Sequence, residues 1–162
     1  SHATYLAWEG EKEIPINAVN RHRKHSQFNA ADAVYLELMK NIMKNKIILD
    51  ATIAVYKKYF PDSALYRYGV SLTKLAYGNN VKIGIGTDIT IDLKTVTPIF
   101  SEMIALQEDV GMKPIDIIQA ATITNAEMIG QENNIGSLNV GKKANLLIVS
   151  NNPAEDISNL KK

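Results

Sequence analysis

The stretch that most constrains this chain is VKIGIGTD, at residues 81–88. Its apolar residues predict a short buried strand, which the turn-forming sequence Gly-Asn-Asn at residues 78–80 introduces. The strand closes on Asp88, so it presents a carboxylate at its carboxyl end. In parallel α/β folds that end faces the active site, which makes Asp88 a candidate catalytic residue. Capping a turn or a following helix is the alternative role for this side chain.

The composition excludes several classes of function. Lys and Arg together number 18 and Asp and Glu 17, and this near balance argues against nucleic-acid partners and anionic membranes. The chain has no cysteine, which excludes disulfides and thiolate metal sites and fits a reducing, cytoplasmic location. No apolar run in the sequence is long enough for a membrane span. His22 and His25 lie in a basic cluster without interleaved aromatic residues, which predicts a solvated loop rather than a metal pair.

The first half of the chain alternates between helix and strand patterns. Asn29 can cap a helix that ends near Asn45, and its predicted apolar face contains Val34, Leu38, Ile42 and Met43. Residues 46–55 are apolar and β-branched, as in parallel strands that are buried on both faces. A second helix is predicted over residues 63–77, with Asp62 as its cap and Gly78 just past its end.

Two further helices are predicted after residue 88. The first has Thr97 as cap, Pro98 at the first helical position and Gly111 at its end. The second begins at Pro114 and places Ile115, Ile118 and Ala121 on one face. A capping box at residues 124–127 then predicts a short helix that ends at Gly130. This order of elements is typical of βα units with right-handed crossovers.

The pattern changes after residue 130. Residues 135–149 predict two short strands around a Val-Gly-Lys-Lys turn, and Asn152-Pro153 follows them. Because a single hairpin is marginally stable in water, these strands need further strands for pairing.

The carboxyl-terminal half contains five motifs in a fixed order: GTD at residues 86–88, GMKP at 111–114, AAT at 120–122 with Asn125-Ala126, IGSLNVGKKANL at 135–146, and Asn152-Pro153. Together they resemble the metal-dependent amidohydrolases, and most of all their imidazolonepropionase and prolidase-like branch. The resemblance implies an α/β fold, a partial (β/α)8 TIM barrel that contains the last strands and helices. Residues 1–130 would be this part of the barrel, and residues 131–162 would be a β-hairpin of a small β-sandwich domain.

The resemblance also implies a site. Asp88 matches the aspartate after the last barrel strand, which binds a divalent metal, most often zinc, and takes a proton from the attacking water. SHA at residues 1–3 is similar to the end of the sixth strand, which would make His2 a metal ligand; a terminal histidine with no role is the alternative. Tyr5, Trp8, Glu9 and Tyr56 are candidates for lining a pocket or for packing a loop.

The family's other metal-binding histidines and its lysine strand have no counterpart here, so the chain resembles the last third of such an enzyme. We therefore expect it to lack a complete site and to be inactive alone, while the parent enzyme hydrolyses amide or cyclic amide bonds of small or dipeptide-like substrates. The alternative is a non-catalytic α/β module or a subunit that completes a partner's barrel. Either way, we expect association with a missing amino-terminal segment or with a second copy, because open sheets expose unpaired edges.

Overall fold

The structure, a computed structural model, describes residues 29–88 and 98–161 together with Ala3 and Leu6. Its helices and strands are α1 (Ala33–Lys44), β1 (Leu49–Asp50), α2 (Ala54–Tyr59), α3 (Ala64–Gly78), β2 (Ile83–Gly84), α4 (Pro98–Ala105), α5 (Pro114–Gln119) and α6 (Asn125–Met128). Two π-helical segments, Leu106–Val110 and Ala120–Thr124, follow α4 and α5, and a 3-10 helix covers Ile157–Lys161.

The two strands pair in parallel, with Leu49 opposite Ile83 and Asp50 opposite Gly84. The Leu49 N–H donates to the Lys82 carbonyl at 2.9 Å, and the Ala51 N–H donates to the Gly84 carbonyl at 3.3 Å. Parallel strands need a crossover connection, which α2 and α3 provide between them. The predicted βα arrangement is thus present in this part of the chain.

The first strand is shorter than predicted. Residues 46–55 were expected to be extended, but β1 ends at Asp50 and α2 already begins at Ala54. The reason is a long-range contact, because the Glu102 carboxylate accepts the N–H groups of Ile53 and Ala54 and so caps the start of α2. The strand prediction for residues 51–55 is therefore wrong.

Helix α1 forms where predicted, but its cap and its buried face differ. Asp32 precedes the helix, while Asn29 accepts an N–H from Ala31 in the turn before it. Val34 and Met43, expected on the apolar face, are 41% and 46% exposed. The side chains that α1 buries are Tyr35, Met39 and Ile42.

Helix α3 lies within one residue of its prediction at both ends. Its cap is Ser63, whose hydroxyl accepts the Tyr66 N–H at 3.2 Å, rather than the predicted Asp62. The helix includes Gly78 and ends at Asn79. A serine hydroxyl that accepts an N–H of the first turn is a common and sufficient cap.

The second group of helices confirms the predicted end at Gly111 and the start at Pro114. Gly111 has a φ of 80°, a left-handed conformation that favours glycine at a helix end. The predicted capping box is wrong: Thr124 is helical and makes no side-chain cap, since a π-helical segment runs directly into α6. On α5 the buried residue is Ile117, whereas Ile115 is 46% exposed.

The hydrophobic core lies between the two strands and the helices around them. Its largest fully buried apolar side chains come from α1, the β1–α2 connection, α3, the π-helical segment after α4, α5 and the final 3-10 helix. They are Met39, Ile53, Leu72, Leu106, Ile117 and Ile157. None of the helices among the described residues is long and apolar enough to cross a membrane.

Residues 135–149 form the predicted turn but no strand. The Lys142 N–H donates to the Asn139 carbonyl at 3.2 Å, which closes the turn around Val140-Gly141. The residues on either side have no ladder partner within the described parts of the chain. They instead expose a series of apolar side chains: Leu138, Val140, Leu146, Leu147 and Ile148, between 61% and 107%. Assignment of residues 131–162 to a β-sandwich domain stays a prediction.

Candidate functional site

The carboxyl ends of β1 and β2 bring Asp50 and the segment Gly86–Asp88 to one end of the sheet. Asp50 is the last residue of β1, and its carboxylate packs against Gly86. A Cβ at residue 86 would lie 2.5 Å from Asp50 Oδ2, so the glycine is required for this close approach. The Thr52 hydroxyl donates to Asp50 Oδ1 at 2.6 Å and fixes the orientation of the carboxylate.

Asp88, the predicted catalytic residue, lies four residues beyond Gly84, the last residue of β2, and is exposed. Its φ of 44° is in the left-handed region, which aspartate tolerates better than most residues. The placement after a parallel strand agrees with the predicted position, while the catalytic role stays a prediction. A capping role would involve residues 89–97, which lie outside the described residues.

The predicted histidine ligand His2 and the pair His22 and His25 also lie outside the described residues, as do Tyr5, Trp8 and Glu9. The neighbour of His2 is described: Ala3 is fully buried, and its N–H donates to the Ala51 carbonyl at 3.3 Å. Ala51 directly follows β1, so this contact holds Ala3 at the end of the sheet where Asp50 lies. Tyr56 is half-buried in α2.

Glu102 is the residue that sequence reasoning missed. Its side chain is fully buried and accepts two N–H groups, from Ile53 at 2.8 Å and 3.0 Å to its two oxygens and from Ala54 at 2.6 Å. Burial raises the pKa of Glu102 to about 7, although these N–H groups lower it, and the charge of Asp50 raises it further. The sequence feature that could have indicated this buried carboxyl group is a single acidic residue within the otherwise apolar helix PIFSEMIA.

Asn125 makes a further long-range contact at the end of the sheet, in addition to those of Ala3 and Glu102. Its Oδ1 accepts the Ile85 N–H at 2.8 Å, and its Nδ2 donates to the Ile85 carbonyl at 2.9 Å. The sequence prediction placed Asn125 in a capping box, whereas the structure gives its amide to the strand that leads to Asp88.

The described residues supply oxygen donors for a divalent metal but no complete site. In these parts of the chain no group of three His, Cys, Asp or Glu side chains is close enough to hold an ion. Carboxylates such as Asp88 fit a divalent ion, and a catalytic zinc site needs three protein ligands. The donor set therefore fits a metal only in part, and the remaining ligands would come from residues outside the described ones.

An apolar cavity of about 890 Å³ lies between the helices and residues 135–160. Neither Asp50 nor Asp88 lines it, although Ile85 and Asn125, which are bonded to each other at the end of β2, do. Its wall includes Ile85, Phe100, Met103, Ile118, Leu146 and Leu147.

Comparison with known proteins gives one family and several solved structures. The model of the amidohydrolase family matches residues 9–162. An Xaa-Pro dipeptidase crystallised with methionine in its active site is 30% identical, with a TM-score of 0.68 over 78% of this chain. A putative prolidase from Bifidobacterium longum is 26% identical, with a TM-score of 0.55 over 70% of this chain. An ochratoxinase from A. niger is 25% identical, with a TM-score of 0.67 over 78% of this chain.

The matched region is a minor part of each of these structures. It covers 34% of the dipeptidase, 31% of the prolidase and 31% of the ochratoxinase. The chain thus spans about one third of the length of the structures that it matches. No curated protein sequence matches it.

Proposed function

The chain belongs to the amidohydrolase family, and from that premise we propose that it is the carboxyl-terminal part of a metal-dependent hydrolase of dipeptide-like amide bonds. The observation that supports this most is the parallel pair β1–β2, which presents Asp88 beyond its carboxyl end. Two of the structural neighbours are named as a dipeptidase and a prolidase. Hydrolysis of cyclic amides, as in the imidazolonepropionase branch, is the less supported substrate class.

In this proposal Asp88 would be a ligand of the metal and would accept a proton from the attacking water. Asp88 lies in the short segment that leaves β2 at its carboxyl end, the end at which parallel α/β folds carry their reactive groups. His2 is the second proposed ligand, and the contact between Ala3 and Ala51 places its neighbour next to the end of β1. A divalent ion, when bound, supplies water of lowered pKa; zinc is the proposed ion.

We expect the isolated chain to hold no stoichiometric metal and to hydrolyse no Xaa-Pro dipeptide. Two ligands, His2 and Asp88, are fewer than the three that a catalytic zinc site needs. Elemental analysis of untagged protein purified without chelators, combined with an assay of proline release in the presence of Zn²⁺ or Mn²⁺, tests this. One or two tightly held ions, or measurable turnover, would show that the chain contains a complete site.

The role of Asp88 is testable in a longer protein. Replacing the matched third of the Xaa-Pro dipeptidase with this chain would supply the remaining ligands. In an active chimera, Asp88→Asn is expected to lower kcat/KM by about 10²–10⁴-fold, because a general base is lost. Asp62→Asn, an exposed change before α3, is the matched control and should leave kcat/KM unchanged. Full activity of the Asp88 variant would exclude the proposed role.

A second candidate function is that of a subunit that completes a partner's barrel or pairs with its own copy. The observation that favours it is the exposed apolar series in residues 138–148, which has the character of a contact surface.

For this second candidate we expect the purified chain to be larger than a monomer in light scattering. The double variant Leu146→Lys with Ile148→Lys should shift it towards the monomer and reduce apolar dye binding, because charges oppose burial of the segment. Val34→Lys, which changes an exposed apolar residue on α1, is the control and should leave the size unchanged. A wild-type monomer at all concentrations would contradict this role.

A further inference from the structure

The outer edge of β2 is the edge that faces away from β1. The carbonyl groups of Lys82 and Gly84 face β1 and accept N–H groups from it. Backbone groups of successive strand residues point to opposite edges, so those of Ile83 and Ile85 face away from β1. At this edge a neighbouring strand could pair.

At Ile85 the pairing position is already taken. The Asn125 amide accepts the Ile85 N–H at 2.8 Å and donates to the Ile85 carbonyl at 2.9 Å. A side-chain amide has the same donor and acceptor as a peptide group, so the two bonds reproduce those of a paired strand residue. Only one orientation of the amide satisfies both bonds.

Two neighbouring features of the chain, Gly84 and the π-helical segment before α6, allow this contact. A Cβ at residue 84 would lie 2.8 Å from Asn125 Oδ1 and would also strike the Met128 sulfur, so α6 can approach only a glycine. Asn125 directly follows the π-helical segment Ala120–Thr124, whose wider turn sets the direction in which the next side chains leave the helix. The glycine and the π-helical segment therefore serve the same contact.

We propose that Asn125 is a positioning residue that closes the outer edge of β2 at Ile85 and ends strand pairing there. A strand that adds to this edge can bond to Ile83 but not to Ile85. Residues 86–88 then leave the sheet and turn out, with Asp88 in its left-handed conformation. The closure of the edge at Ile85 is independent of the proposed function. Only its relevance to the chemistry of Asp88 rests on that function.

The test is amide hydrogen exchange, measured by NMR on the whole 162-residue chain. In Asn125→Ala, exchange of the Ile85 amide should rise about tenfold, as expected for the loss of one net hydrogen bond. Asn125→Asp keeps the size of the side chain but puts a second acceptor against the Ile85 carbonyl, so the ¹³C shift of that carbonyl should change and exchange of the Ile85 amide should rise as well. A side chain that only fills space would leave both measurements unchanged in this variant.

Two controls keep the result specific. The Leu72 amide, inside α3, reports global opening in the same samples, and its exchange should rise by no more than that of Ile85, since the lost hydrogen bond also lowers the free energy of unfolding. Asn134→Ala removes another side-chain amide, one bonded to Gln131 on the surface, and should leave Ile85 unaffected.

Equal exchange at Ile85 in wild type and Asn125→Ala would overturn the proposal. If the alanine variant does not fold, an unchanged Ile85 carbonyl shift in the folded Asn125→Asp variant would also overturn it. None of these measurements involves metal or hydrolysis. A failure of the edge closure is thus distinguishable from a failure of the proposed activity.

Discussion

Replacing Glu102 by alanine is expected to lower the free energy of unfolding by about 4 kcal/mol, because two buried N–H donors lose the carboxylate that accepts them and a cavity remains. The donors are those of Ile53 and Ala54, at the start of α2. Urea denaturation followed by circular dichroism measures the change. Glu108→Ala, on an exposed side chain of the next helical turn, is the control and should change the value by less than about 0.5 kcal/mol.

The same carboxyl group should make stability depend on pH. The pKa of Glu102 is about 7 in the folded chain, against an ordinary glutamate value of 4.5, so between these values the folded state holds a proton that the unfolded state has lost. The free energy of unfolding therefore decreases as the pH rises from 4.5 to about 7. At 1.36 kcal/mol per pKa unit the contribution reaches about 3 kcal/mol.

Glu102→Gln, which is neutral throughout this range, tests that explanation. Its denaturation midpoints, measured every half pH unit, should lack the part of the slope that Glu102 contributes. A slope identical to that of the wild type would assign the pH dependence to other groups. A small effect of Glu102→Ala would similarly show that the start of α2 does not need its buried cap.

Gly136→Ala is expected to lower the free energy of unfolding by about 3 kcal/mol. Gly136 has a φ of 87°, which costs an L-residue roughly 1–2 kcal/mol. In addition, its Cβ would lie 2.8 Å from the Ala126 Cβ and 2.9 Å from the Ile123 Cα, and relieving such overlap costs roughly 1–3 kcal/mol. The chain after residue 135 would have to move away from the helices.

Gly141→Ala separates the two contributions. Gly141 has nearly the same φ, 90°, but a Cβ there would meet nothing within 4 Å. The Gly141→Ala variant should therefore lose only the conformational part of the free energy of unfolding, roughly 1–2 kcal/mol. Thermal denaturation of both variants gives the comparison, and equal losses would mean that the contact of Gly136 with the helices is not tight.

Local sequence patterns predicted much of the architecture. The apolar runs at residues 46–55 and 81–88 predicted two buried strands, which are present but shorter, as Leu49–Asp50 and Ile83–Gly84. The intervening helix pattern predicted that they would be parallel. Gly111 ends a helix as predicted, and the turn around Val140-Gly141 forms as predicted. These features depend on neighbouring residues, whose spacing and backbone preferences are visible in the sequence.

The candidate site was predictable in one respect and not in others. Asp88 was identified because a carboxylate followed a buried strand, and the structure places it beyond the end of β2. Glu102 and the contact of Asn125 with Ile85 were missed, since the partners of these two side chains are 49 and 40 residues away in the sequence. A glutamate and an asparagine in helical patterns give no indication of such partners.

The sequence by itself determined the family, the parallel order of strands and the residue that is the best candidate for chemistry. Only the tertiary structure decided where β1 stops, which faces of α1 and α5 are buried, and how the end of β2 is held. The physical reason is that burial and long-range hydrogen bonds depend on which elements meet. A carboxylate from α4 outcompetes the strand preference of residues 53–55, and an amide from α6 occupies the edge at Ile85.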